Sequence, residues 1–218
     1  MIRINVGCGQ TPTKGWRNFD NSLSLRLAKS PLFAKLLRNI GLIDLPQWQF
    51  ILFARANGIE YGDSTGQLPL ADGSVEILYS SHMLEHLDRT EAVSFLMEAR
   101  RLLVPGGVIR LAVPDLGRLV GAYSRDGDAD AFLELTGLCV PQSRSFSQRL
   151  RLLVTGQRHH LWMYDGPSLC TLLARHGFVD PRVLPPGQTS IRDNHSLDLF
   201  ERARDSVYVE AIAPGGHS

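Results

Sequence analysis

The sequence predicts an α/β fold in which helices cover both faces of a mostly parallel sheet. Two observations support this fold class: runs of β-branched and apolar residues recur along the chain, and an amphipathic segment, Arg89 to Leu103, lies between two of them. Strands joined through helices in this way run parallel in one sheet. The strands that these runs predict are 2–6, 16–20, 59–63, 75–79, 108–113, 178–183 and 207–212.

The first strand ends in a glycine turn. Ile2 to Val6 is followed by Gly7-Cys8-Gly9, and Asp20 ends the second strand. Glycines let the backbone approach a ligand closely, and a carboxylate placed after the next strand can accept from ribose hydroxyls. The pattern indicates a nucleotide-type site, although a Gly-x-Gly turn alone is also compatible with an ordinary turn that binds nothing.

The path from the first strand to the second is short. About eight residues separate Gly7 from Trp16, fewer than the dozen or so that a helical crossover between parallel strands requires. We therefore expect a single helical turn or a loop between these strands.

Residues 21–56 are predicted to form a helical insertion. Leu, Phe, Arg and Lys recur there at helical spacing, between breaks at Pro31, Gly41 and Pro46. The insertion separates the second strand from the third.

The central elements follow in order. Strand 59–63 ends in the acidic Asp63, and strand 75–79 is apolar throughout, as buried parallel strands are. The helix after it stops at Pro105-Gly106-Gly107, residues of the type that end helices, and strand 108–113 comes next.

Residues 115–165 are the least regular part of the chain. They include the basic and aromatic stretch Arg158 to Tyr164. In an open α/β fold this region lies over the carboxyl end of the sheet, where ligands enter. We expect a substrate cap here, within a single domain of residues 1–218, and a helix at 167–176 before the last two strands.

Composition argues against several classes of function. The 23 basic and 22 acidic side chains give a net charge of +1, which offers no general attraction to nucleic acid or to an anionic membrane. No apolar stretch approaches the roughly 18 residues of a membrane span, and a strand occupies the N-terminus in place of a signal segment, so we expect a cytoplasmic protein. Cys8, Cys139 and Cys170 lack Cys-x-x-Cys spacing, so neither a disulfide framework nor a cysteine zinc site is predicted.

Taken in order, the motifs of this chain resemble those of the class I S-adenosylmethionine-dependent methyltransferases, and most closely those of small bacterial members of the type-11-like family. The motifs are Ile4-Asn5-Val6-Gly7-Cys8-Gly9, Gly15-Trp16, Asn18-Phe19-Asp20, Asp63, Asp72-Gly73-Ser74, Ser81-His82-Met83-Leu84-Glu85-His86-Leu87 and Leu103-Val104-Pro105-Gly106-Gly107. The resemblance implies a Rossmann-like, doubly wound, seven-stranded sheet with an antiparallel last strand. It also implies an enzyme that uses S-adenosylmethionine as its cofactor.

The resemblance further implies a role for individual residues. Gly7, Cys8 and Gly9 would contact the methionine part of the cofactor, and Asp20 would contact the ribose. Asp63 and Ser64 would meet the adenine. Ser80, Ser81 and His82 would line the pocket near the sulfonium. One position departs from the family, because Asn5 stands where many class I enzymes have an acid.

Methyl transfer requires little chemistry of the protein itself. The cofactor brings its own electrophile, and a general base is needed only if the acceptor must lose a proton. His82 near the cofactor and His160 in the cap are the candidates for such a base. The acceptor is left open among small molecules, sugars and lipid head groups, and the oligomeric state is not indicated.

Three alternatives are compatible with parts of the sequence. A nicotinamide dinucleotide enzyme would need a third glycine where the chain has Pro12, and an acid later than Asp20. The segment His82 to His86 matches the His-x-x-Glu-His pattern of inverzincin zinc hydrolases. Because this motif directly follows a buried strand, its histidines need not have helical spacing, and we expect no metal. A non-catalytic cofactor-binding protein is the third alternative, supported by Asn5 and the short path to Trp16.

Overall fold

The computed structural model describes residues 1–28, 30–139, 159–194 and 196–215. Its strands are β1 (Ile2–Val6), β2 (Arg17–Asp20), β3 (Glu60–Tyr61), β4 (Val75–Ser81), β5 (Leu103–Pro114), β6 (Val179–Leu184) and β7 (Ser206–Ile212). Its helices are α1 (Leu23–Ala28), α2 (Pro31–Asn39), α3 (Leu45–Ala56), a 3₁₀ helix (Leu84–His86), α4 (Arg89–Leu102), α5 (Leu116–Asp126), α6 (Ala129–Thr136) and α7 (Gly166–Arg175).

The seven strands form one sheet in the order β3-β2-β1-β4-β5-β7-β6. The pairs β1–β2, β1–β4, β2–β3 and β4–β5 are parallel, whereas β7 is antiparallel to both β5 and β6. The predicted fold class, a mostly parallel Rossmann-like sheet with an antiparallel last strand, is confirmed. The carboxyl ends of the parallel strands therefore share one edge, at which open α/β sheets bind ligands.

Helix α4 is fixed at its start by a capping box. The Asp88 carboxylate accepts from the backbone N–H groups of Thr90 and Glu91, and the Glu91 side chain accepts from the N–H of Asp88. The helix buries one face in the main core, through Ala92, Phe95, Leu96, Ala99 and Leu102. The prediction of a helix from Arg89 is confirmed, with an end one residue earlier.

Strand β5 is longer than predicted. It was expected to begin at Val108, but pairing starts at Leu103, opposite Val75 of β4. Both glycines are hydrogen-bonded to Ala213, which follows β7. The N–H of Gly106 donates to the carbonyl of Ala213, and the carbonyl of Gly107 accepts from the N–H of Ala213. The register with β4 shifts between Leu103 and Val108, and Gly106 has a left-handed φ of 79°, so the Pro-Gly-Gly sequence forms an irregularity inside the strand.

Three helices, α1 to α3, occupy residues 23–56, within the segment predicted as a helical insertion. Helices α5 and α6 lie in the predicted cap, while residues 140–158 of that region, with Arg158, fall outside the described residues. No described helix is long and apolar enough to cross a membrane.

Candidate active site

The glycine turn after β1 presents open backbone at one of its two glycines. Gly7 and Gly9 have φ angles of 72° and 49°, in the left-handed region that favours glycine. A Cβ on Gly7 would lie 2.4 Å from Cγ of Met83, whereas a Cβ on Gly9 would meet nothing within 4 Å. Gly7 is therefore packed against the loop after β4, and Gly9 leaves space that a ligand can fill.

Two asparagines hold the loop between β1 and β2. Residues 7–16, all of them described, contain turns and no helix, which confirms the predicted loop. The Asn5 amide donates to the carbonyl of Thr11 and to Oγ1 of Thr13, at 3.1 and 3.0 Å. Asn18 accepts from the N–H of Thr13 and donates to the carbonyls of Thr13 and Trp16. Asn5 thus has a structural role in holding this loop.

Asp20 lies beside the glycine turn, at the end of β2. Its carboxylate accepts from the backbone N–H of Gly9 at 3.1 Å and of Ser22 at 2.8 Å. A carboxylate offers about four acceptor positions, so lone pairs remain for a ligand hydroxyl. The neighbouring thiol of Cys8 is buried, and burial together with the charge of Asp20 raises its pKa to about 12. Cys8 is therefore a protonated packing residue rather than a nucleophile.

Met83 connects three of the predicted segments. It packs against Gly7, and its sulfur accepts from the Ser64 hydroxyl at 3.7 Å. Ser64 is buried, while its neighbour Asp63 is exposed and accepts from the backbone and hydroxyl of Thr65. Through Met83, the structure thus connects the loop of Ser64, after β3, to the glycine turn after β1. Sequence reasoning gave no role to Met83, because its contacts depend on chain pairing rather than on a local motif.

The two serines at the end of β4 differ in their hydrogen bonds. The Ser80 hydroxyl donates to the carbonyl of Val6 at 2.8 Å, which joins β4 to the end of β1. The Ser81 hydroxyl is buried, makes no well-formed hydrogen bond among the described residues and lies near the Tyr79 side chain. Ser81 is therefore held less firmly by the chain than Ser80.

His82 stands at the carboxyl edge in a strained conformation, with a φ of 50°. Its Nε2 lies 2.8 Å from Oγ of Ser206, and its Nδ1 lies 3.1 Å from a guanidinium nitrogen of Arg202. The same Nδ1 lies 3.3 Å from Oε1 of Glu85, so a donor, Arg202, and an acceptor, Glu85, both face this nitrogen. Both ring nitrogens of His82 are therefore engaged within the chain.

Glu85 lies between the two candidate bases. Its Oε1 is 3.3 Å from Nδ1 of His82 and 4.0 Å from Nε2 of His160, and the residue is 1% exposed. Burial lowers the pKa of His160, a shift opposed by the hydrogen bond to the carbonyl of Thr136 and by the charge of Glu85. The structure brings His82 and His160 to one buried carboxylate, although 78 positions separate them in the sequence.

An open cavity of about 610 Å³ lies between α5, α6 and residues 204–205. Its charged lining residues are Arg118, Arg125, Arg204, Asp115 and Asp205. Because Asp115 directly follows β5, the cavity reaches the carboxyl edge of the sheet.

Comparison with known proteins agrees with this architecture. Residues 47–111 match the family model of a methyltransferase domain, from helix α3 into strand β5. That stretch includes Asp63, Ser64 and the segment Ser80 to His86, and it lies within the seven-stranded sheet described above. Over these residues the chain is similar to a methyltransferase domain, and the cofactor that this likeness implies is S-adenosylmethionine.

Solved structures of S-adenosylmethionine-dependent methyltransferases are similar in fold to this chain along nearly its whole length. One from Methanosarcina mazei is 16% identical, with a TM-score of 0.49, covering 97% of this chain and 92% of that one. One from Thermotoga maritima is 15% identical, with a TM-score of 0.46 and coverages of 97% and 82%. One from Aquifex aeolicus is 12% identical, with a TM-score of 0.46 and coverages of 98% and 82%. No curated protein sequence matches the chain.

Proposed function

We propose that this chain transfers a methyl group from S-adenosylmethionine to a small-molecule, sugar or lipid-type acceptor at the carboxyl edge of β1 and β4. The observation that carries the proposal is the turn after β1, where the open face of Gly9 lies next to the Asp20 carboxylate. A hydrogen-bond acceptor beside exposed backbone at this edge suits a ribose and its substituents.

The described residues fit the cofactor at several positions. Gly7, Cys8 and Gly9 would contact the methionine part, and Asp20 would accept from the ribose hydroxyls. Ser64 and Asp63 would meet the adenine, and Ser80, Ser81 and His82 would surround the reacting end. The Ser81 hydroxyl supports this placement, because a ligand atom would complete the hydrogen bonding of a buried group that the Tyr79 side chain approaches without a well-formed bond.

Bound S-adenosylmethionine supplies a methyl group on a sulfonium, which is already an electrophile. The chain has to hold the acceptor in line with that methyl and to exclude water. Positioning of this kind is worth about 7–11 kcal/mol in favourable cases, against about 10²- to 10⁴-fold in rate from a general base. Where the acceptor must lose a proton, Nε2 of His160 is better placed than His82, since both ring nitrogens of His82 are engaged.

The acceptor would enter through the predicted cap at 115–165. The cavity between α5 and α6 supports this route, because it lies in that region and reaches the carboxyl edge of the sheet. Its lining combines three arginines with two aspartates, which suits a polar acceptor with hydroxyl or anionic groups.

Turnover tests the proposed function. The purified chain would be incubated with S-adenosylmethionine and fractionated acceptor pools, and S-adenosylhomocysteine would be measured by chromatography. We expect acceptor-dependent product with wild-type protein, much less with Asp20→Ala, and an unchanged rate with Glu134→Ala, which removes an exposed carboxylate from α6. A chain that binds the cofactor but yields no product with any pool would instead be a non-catalytic binding protein.

A further inference from the structure

We propose that Glu85, His86 and His160 form a binding site for one divalent transition-metal cation, with zinc as the best match. One ligand atom from each side chain lies within 4.8 Å of the others. The site differs from the His-x-x-Glu-His pattern in the sequence, because His82 is not a ligand and the third ligand comes from the cap.

The Glu85 carboxylate is buried without a hydrogen bond. It is 1% exposed, and neither of its oxygens has a hydrogen-bond partner among the described residues. Its ion-pair partners are two histidines, with Nδ1 of His82 at 3.3 Å and Nε2 of His160 at 4.0 Å, and that nitrogen of His82 also contacts Arg202. Burying an ionised carboxylate without a hydrogen bond is costly, and a metal ion is one of the two usual remedies.

The two histidines are oriented as metal ligands are. Nδ1 of His86 lies 3.0 Å from the carbonyl of His159, and Nδ1 of His160 lies 2.7 Å from the carbonyl of Thr136. A carbonyl can only accept, so each Nδ1 carries the proton and each Nε2 presents a lone pair. A hydrogen bond from the second ring nitrogen to a carbonyl is the usual support of a metal-binding histidine.

The chain positions His160 by specific contacts. The carbonyl of Glu85 accepts from the backbone N–H groups of Leu161 and Trp162, which fixes this segment against the 3₁₀ helix. A Cβ on Gly137 would lie 2.7 Å from Nδ1 of His160, so the ring occupies space that only glycine leaves open. Backbone hydrogen bonds and packing against Gly137 therefore both hold the His160 ring near Glu85.

Two imidazole nitrogens and a carboxylate oxygen suit zinc rather than magnesium or calcium, which take oxygen ligands. Tetrahedral zinc would bring its ligand atoms to about 3.4 Å from one another, so separations of up to 4.8 Å need to shorten by at most about 1.4 Å. Three protein ligands leave an open coordination position, as in catalytic zinc sites. If the proposed function holds, that position would receive an acceptor oxygen, and His160 would act as a ligand rather than as a base; this last step rests on the proposed function.

Zinc binding tests the site directly. Metal-free full-length protein would be titrated with zinc by calorimetry, and bound metal would be counted after dialysis. We expect one zinc per chain, affinity lowered more than about 100-fold in His160→Ala and in His86→Ala, and no change in His176→Ala, a histidine at the end of α7 outside the cluster. Equal affinity in wild type and in His160→Ala would overturn the site, as would the absence of zinc binding by folded wild-type protein.

A second pair of variants separates positioning from loss of a ligand. Gly137→Ala should displace the His160 ring and weaken zinc binding about 10- to 100-fold. Gly127→Ala is the matched control: it is also a left-handed residue at a helix end, but its Cβ would meet nothing within 4 Å. If both variants bind zinc like wild type, His160 is not a ligand.

The readouts distinguish the site from the proposed function. Zinc should raise the melting temperature of wild-type protein and not that of Glu85→Gln, irrespective of any methyl transfer. Zinc binding without turnover would leave the site standing and remove the proposed function. Turnover by a chain that binds no zinc would do the reverse.

Discussion

Replacing Asp20 by alanine should weaken binding of S-adenosylmethionine by about 10- to 150-fold. The carboxylate would make a charge-assisted hydrogen bond to the ribose, and removing such a bond costs about 1.5–3 kcal/mol, at about 1.4 kcal/mol for each factor of ten. Asp20→Asn keeps one acceptor oxygen without the charge, so its loss should be smaller. Isothermal titration of all three proteins gives the affinities.

The fold of the loop has to be controlled in that experiment. Asp20 also accepts from the backbone of Gly9 and Ser22, so the alanine variant should lose some stability, about 1 kcal/mol for each hydrogen bond. The titrations are therefore made well below the melting temperature of each variant, and Glu134→Ala serves as the control carboxylate. Cofactor affinity unchanged in folded Asp20→Ala would show that this carboxylate lies outside the site.

Three further predictions concern stability, measured by urea unfolding. Gly7→Ala should lower the free energy of unfolding by about 1–3 kcal/mol more than Gly106→Ala. Both glycines have positive φ, but only Gly7 is packed against a side chain. Equal losses of stability in the two variants would contradict that packing. Glu210→Gln should cost about 3–5 kcal/mol, because it leaves Arg110 charged and buried. Burial alone would raise the pKa of Glu210, but its hydrogen bonds hold the pKa below the usual 4.5. The stability that this carboxylate contributes is therefore present above about pH 4.5 and is lost as the pH falls through the folded pKa. If wild type is no more sensitive to acid than Glu210→Gln, this prediction is wrong. Asp165→Ala should lower the free energy of unfolding by about 1 kcal/mol, because it removes the N-cap of α7. An unchanged free energy of unfolding would mean that this cap does not stabilise the fold.

The sequence predicted those parts of the fold that depend on local patterns. Strand β1 has the predicted bounds, and α4 begins where the capping residue Asp88 precedes an apolar face. The loop between β1 and β2 followed from chain length alone. Strand β5 was predicted too short, because its first residues are held by distant parts of the chain that a local pattern does not reveal. Leu103 pairs with Val75 of β4, and Gly106 and Gly107 are hydrogen-bonded to Ala213.

The candidate site was predicted only in part, for the same reason. The sequence motifs predicted the glycine turn and His82 as site residues. The residues that contact them, however, belong to distant parts of the chain. Glu85 and His160 are 75 positions apart in the sequence. Nothing in either segment indicates that the carbonyl of Glu85 accepts hydrogen bonds from the backbone of Leu161 and Trp162. Met83 looks like an ordinary apolar residue until β1 and β4 are paired. The roles of the predicted cofactor residues stay predictions.

A crystal structure with bound S-adenosylhomocysteine would show whether the turn after β1 holds the cofactor. We expect the ribose hydroxyls within hydrogen-bond distance of the Asp20 carboxylate, the amino-acid part against Gly9, and the sulfur facing the end of β4 near Ser81. A ligand bound away from the turn after β1, or with its ribose out of reach of Asp20, would contradict this placement.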